Sequence, residues 1–159
     1  MANKSKTNAL RMLDAASLPY SSREYSVEEG FTSGSEIARQ ENLDPDSVFK
    51  TLVTVSDKND YFVCVIPVDS KLNLKKAAAH FGAKKLEMLH SKDLLGITGY
   101  IHGGCSPIGM KRLFPTVYDE TAQLYECIYV SGGRIGLQIE IQPSVLVEFT
   151  NGDFADITE

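Results

Sequence analysis

The stretch Val48-Phe49-Lys50-Thr51-Leu52-Val53-Thr54-Val55-Ser56-Asp57-Lys58-Asn59-Asp60-Tyr61-Phe62-Val63-Cys64-Val65-Ile66-Pro67 decides the fold class. β-Branched and apolar residues fill 48–55 and 61–66, and the polar run 57–60 separates them. That pattern predicts a β-hairpin, because branched side chains pack well on a pleated surface and polar turn residues reverse the chain. Pro67 stops the second strand, since it has no N–H to continue a ladder.

Downstream, residues 74–81 read as a helix closed by Gly82, the usual residue past a helix end. Residues 84–88 read as a strand, and 91–95 as a short helix ended by Gly96. Strands are expected at 116–119, 128–130, 136–141 and 154–157, with a helix at 143–149 begun by Pro143. Asn151-Gly152 marks a turn. Upstream, Ala9, Leu10, Leu13 and Ala16 form one apolar stripe at helical spacing, so 6–16 reads as a helix. Residues 23–27 read as a short strand. Ser33 and Glu36 have capping-box spacing, which predicts a helix running to Asn42, and Asp44-Pro45-Asp46 is a turn. Many short strands with several helices, without regular βαβ alternation, give a mixed α+β fold in a single domain over residues 1–159.

The composition supports this. Of 159 residues, 43% are hydrophobic, enough for a globular core. No apolar run approaches the ~20 residues of a membrane span, and the first residues contain no secretory h-region. Cys64, Cys105 and Cys127 are widely spaced and odd in number, which fits a reducing cytoplasm and gives neither a zinc pattern nor a disulfide framework. The net charge of −5 means that any RNA must be handled locally or with help.

Several residues stand out chemically. Gly99-Tyr100-Ile101-His102-Gly103-Gly104-Cys105-Ser106-Pro107-Ile108-Gly109 reads either as a plain connection or as a shaped loop whose N–H groups hold a carbonyl or phosphate. Lys50 is a cation among core-strand residues, so it either lays its stem on apolar surface or is used for charge. Ser131-Gly132-Gly133-Arg134 forms a second glycine turn, whose Arg134 grips a phosphate or is simply solvated. His102 and Cys105 invite a dyad, but positions three apart point to opposite faces of an extended segment. His80 and His90 lack metal-ligand spacing. The glycines follow neither the phosphate-loop nor the dinucleotide order, so no metal or nucleotide cofactor is expected. Lys75-Lys76, Lys84-Lys85 and Lys111-Arg112 are the basic spots, solvated singly or jointly a surface for an RNA end.

The ordered set resembles the YbaK/EbsC family of aminoacyl-tRNA deacylases, related to the editing domain of prolyl-tRNA synthetase. The residues that carry the resemblance are Val48-Phe49-Lys50-Thr51-Leu52, Leu74-Lys75-Lys76, Gly82-Ala83-Lys84-Lys85 and Glu87. They continue through Thr98-Gly99-Tyr100, Gly103-Gly104, Ser106-Pro107, Gly109, Asp119, Tyr129 to Gly133, Gly136-Leu137 and Phe154-Ala155-Asp156. The resemblance implies a mostly antiparallel mixed sheet closed toward a barrel with surrounding helices. It implies hydrolysis of mischarged aminoacyl-tRNA, chiefly Cys-tRNA(Pro), in the cytoplasm and without a cofactor. In the family the substrate's own thiol is thought to attack the ester carbonyl, and an alanyl- or seryl-tRNA deacylase using a bound water, or a non-catalytic binding module, are the alternatives. Lys50 matches the family's essential lysine, and Gly103 and Gly104 complete the expected catalytic set. Tyr25, Thr51, Ser106, Pro107, Ser131, Gly132, Gly133 and Arg134 are the expected substrate-binding residues. Gln138 stands where some relatives have aspartate and receives no catalytic role. The expected partners are the tRNA acceptor end and prolyl-tRNA synthetase, which would present it.

Overall fold

The hairpin forms the centre of the molecule. In the computed structural model, which describes residues 6–25 and 43–159, β2 (Phe49–Ser56) and β3 (Tyr61–Pro67) pair antiparallel with Leu52 opposite Cys64. β4 (Leu86–Met88) takes the far half of the other β2 edge, placing Leu86 opposite Ser56. On the opposite side, β5 (Thr116–Asp119) runs parallel to β3, and β8 (Asp153–Ala155) runs parallel to β5. The five-stranded order is β4-β2-β3-β5-β8. A second sheet, β1-β7-β6, is antiparallel throughout and consists of β1 (Ser21–Glu24), β7 (Leu137–Ile141) and β6 (Ile128–Ser131).

The sheets are mixed and mostly antiparallel, as expected, but they do not close into a barrel. They meet at one parallel bridge, Val48 to Tyr129. β6 ends at Ser131, two residues past that bridge, so it lies beside only the beginning of β2. Among the described residues, the outer strands β1 and β8 each have a single strand neighbour.

Four α-helices are described: α1 (Asn8–Ala15), α2 (Leu74–Phe81), α3 (Ser91–Thr98) and α4 (Pro143–Phe149). Strand alternation divides the apolar residues into two cores. Phe49, Val53, Val63 and Val65 face the main core with Ile128, Val130, Leu137, Ile139 and Ile141, and α1, α3 and α4 add Leu10, Leu13, Leu94 and Leu146. On the other face, Cys64, Ile66 and Val117 pack against Ala77 and Ala78 of α2.

The sequence ends α3 three residues short. Gly96 lies inside the helix with open space where its side chain would be, and Gly99, at φ +87°, ends it. Gly82, at φ +70°, ends α2 as expected. The strand expected at 154–157 is instead β8, ending at Ala155. The helix expected at 33–42, and the last two residues of the strand expected at 23–27, lie outside the described residues.

Candidate functional site

A row of polar side chains crosses the junction of the two sheets. Val48 and Tyr129 share a face at their bridge, so Lys50 and Ser131, each two residues on, share it too. Ser131 lies opposite Gln138, and Gln138 lies opposite Arg23. Tyr25 follows Arg23 by two residues and donates its backbone N–H to the Gly136 carbonyl at 2.9 Å, extending the row along β7. The row therefore reads Lys50, Ser131, Gln138 and Arg23, with Tyr25 beside it.

Two members carry unspent polar capacity. Lys50 is half-buried, and among the described residues it makes no hydrogen bond or ion pair. Burial holds its ammonium below the ordinary lysine range, and the charge of Asp69 opposes that shift. Gln138 is only 5% exposed, and among the described residues its Oε1 has no hydrogen-bond partner. A buried polar atom without a partner carries a desolvation penalty that a bound molecule can relieve. The sequence reading gives Gln138 no catalytic role. Its signal was the polar position between apolar Leu137 and Ile139, both buried in the main core.

The two glycine segments dock onto each other beside this row. Gly104 donates its N–H to the Ile101 carbonyl at 3.0 Å, and Gly103, at φ +88°, supplies the third position of that turn, as a type II turn requires. A Cβ on Gly104 would stand 2.9 Å from the Arg134 Cα and 3.0 Å from the Ile135 nitrogen. Gly104 is thus a packing residue whose amide is already committed, whereas Gly103 is exposed at the tip. In the second segment, Ser131 Oγ accepts from the Gly133 N–H at 3.2 Å, and Gly132 donates its N–H to the Leu137 carbonyl at 2.8 Å. Arg134 pairs with Glu24 at 2.9 Å, tying this turn to the end of β1.

The remaining expected residues lie elsewhere. Thr51 follows Lys50 directly and points to the opposite face, where its Oγ1 is buried and has no hydrogen-bond partner among the described residues. Ser106 is fully buried and accepts the Ile108 N–H through Oγ, and Pro107 is buried beside it, so both support the loop from inside. Cys105 is buried, and desolvation pushes its thiol up to about 12, while His102 is exposed. The basic spots are largely engaged with the protein. Lys76 pairs with Asp156, Lys85 with Glu87, Lys111 donates to the Gly96 carbonyl, and the Arg112 guanidinium lies over the Phe114 ring.

Comparison with known proteins gives this site its context. The model of the aminoacyl-tRNA editing domain matches residues 27–149. The chain belongs to the aminoacyl-tRNA editing-domain family. As an editing domain it is a hydrolase acting on aminoacyl-tRNA. It is 49% identical over 153 residues, covering 96% of this chain and 93% of the relative, to an Enterococcus faecalis protein named EbsC, a candidate Cys-tRNA(Pro)/Cys-tRNA(Cys) deacylase. Two crystal structures share the fold at lower identity. A hypothetical protein superposes with a TM-score of 0.87 at 23% identity, covering 96% of this chain and 100% of that one. A candidate trans-editing enzyme for prolyl-tRNA synthetase gives 0.82 at 22%, covering 98% and 99%.

Proposed function

We propose that this editing domain removes cysteine from tRNA(Pro), with the substrate's own thiol as nucleophile. The observation that carries the reading is Lys50: among the described residues it is a desolvated ammonium without a hydrogen bond or ion pair, in one row with Ser131 and with Gln138, whose Oε1 likewise has no partner there. Such a cation is suited to an anionic ligand, and the 3′ end of tRNA supplies phosphate beside the aminoacyl ester.

In this reading Lys50 holds the terminal adenosine through its phosphate. The Gly103 N–H, at the exposed tip of its turn, orients the ester carbonyl, and Gly104 keeps that turn against Arg134. Ser131 and Gln138 offer hydrogen bonds to the bound aminoacyl-adenosine, and Tyr25 borders it. The cysteinyl sulfur attacks its own carbonyl carbon. A C–S bond forms, the ester C–O bond breaks, and the thiol proton ends on the released ribose oxygen. Water then opens the thiolactone to free cysteine. An aminoacyl ester is already activated, so holding thiol and carbonyl together supplies much of the rate, an effect worth roughly 7–11 kcal/mol when orientation is complete. The net charge of −5 supports a further element: a partner, prolyl-tRNA synthetase in this reading, presents the acceptor end.

The test compares cysteinyl, seryl and alanyl esters of tRNA(Pro) under single turnover. Rapid loss of the cysteinyl ester alone is the expected result. Equal hydrolysis of all three would replace the thiol with a bound water, and binding without hydrolysis of any would refute the catalytic reading.

A further inference from the structure

Thr7 lies outside the segment matched by the family model, and no site residue was expected there. Its Oγ1 donates to the Gly132 carbonyl at 2.5 Å and accepts the Leu10 N–H at 3.2 Å. One hydroxyl therefore caps α1 and holds the second glycine segment. The space around it is full: a Cβ on Gly133 would stand 3.1 Å from the Thr7 Cβ and 3.0 Å from the Tyr100 ring. Next to it, Asn8 Nδ2 donates to the Gly109 carbonyl at 2.8 Å. A Cβ on Gly109 would stand 2.9 Å from the Ala9 nitrogen. The start of α1 thus touches both glycine segments, which themselves meet at Gly104 and Arg134.

We infer that Thr7 is a positioning residue for deacylation, acting through Ser131. The chain of contacts is short. Thr7 fixes the Gly132 carbonyl, and this sets the Ser131-Gly132-Gly133 turn in which Ser131 Oγ accepts the Gly133 N–H. With one of its two lone pairs used there, the Ser131 oxygen is held in place and its proton is still there to donate along the row that contains Lys50. Thr7 touches no substrate. It determines which way the Ser131 hydroxyl faces. The inference rests on the proposed reading of that row as the substrate site.

Two variants separate this role from helix capping. Thr7→Asp keeps an acceptor for the Leu10 N–H but has no proton for the Gly132 carbonyl, so α1 stays capped while the link is lost. Thr7→Ser keeps both bonds. The expected result in single-turnover deacylation of Cys-tRNA(Pro) is a fall in the maximal rate of roughly ten- to a hundredfold for Thr7→Asp. Half-saturation should be little changed, and Thr7→Ser should have near wild-type activity. Amide exchange at Gly133, read by NMR on the same proteins, should be faster in Thr7→Asp only. Wild-type rates and unchanged Gly133 exchange in Thr7→Asp would overturn the inference. Wild-type protein that deacylates nothing would refute the proposed function instead, and the exchange at Gly133 would still decide whether Thr7 holds the turn.

Discussion

Gly104 lies so close to Arg134 that a methyl group on its Cα would stand 2.9 Å from the Arg134 Cα. This contact joins two glycine segments that are far apart in the chain, and it is made by backbone on both sides. Gly104→Ala must displace one segment from the other. We expect a loss of roughly 1–3 kcal/mol in stability, as for overpacked sites, with a fall in deacylation of about tenfold or more. Gly96→Ala is the control. It lies in a helix with nothing within 4 Å of its Cβ position, so it should gain roughly 0.5–1 kcal/mol and keep full activity. Urea unfolding and single-turnover assays on the two variants check both halves.

Lys50 should stabilise catalysis at the expense of the fold. Burial lowers its pKa, so the unfolded chain holds the proton more tightly than the folded one. Between the two values the unfolded state carries more protons, and stability therefore rises as pH rises through the folded pKa. Below it, the desolvated charge is a standing penalty. Lys50→Met should raise stability at neutral pH by roughly 0.5–1 kcal/mol, remove this alkaline contribution and inactivate the enzyme. Unfolding curves from neutral to alkaline pH would show it, and a less stable Lys50→Met at neutral pH would argue against a desolvated ammonium.

Cys105 should be dispensable for chemistry. A nucleophilic cysteine works as the thiolate, and burial pushes this thiol up to about 12. It stays protonated across the physiological range and contributes no step to the pH profile there. Cys105→Ala should keep the deacylation rate within about threefold, with any loss confined to stability. A variant that folds normally but is inactive would restore Cys105 as a candidate nucleophile.

The hairpin was legible because its signal is local. Runs of apolar and β-branched residues mark β2 and β3 to within a residue, and only a polar turn lies between them. Lys50 was legible for the same reason, as a charge in an otherwise apolar strand. The barrel expectation failed on long-range pairing: no local pattern shows that, among the described residues, β1 and β8 each stay with a single strand neighbour. Gly96 misled because an exposed glycine with open space around it looks in sequence like a helix stop. Gln138 gives no such local sign, because what sets it apart is an Oε1 without a hydrogen-bond partner among the described residues. Thr7 gave no local sign, since the bond that sets it apart crosses to Gly132.

The most direct test of the account is single-turnover hydrolysis of Cys-tRNA(Pro) at saturating enzyme, with wild type and Lys50→Ala side by side. The account predicts rapid deacylation by wild type and a fall of roughly two to three orders of magnitude in the variant, as for loss of one well-placed charge-stabilising group. A folded Lys50→Ala that hydrolyses the ester at the wild-type rate would contradict it.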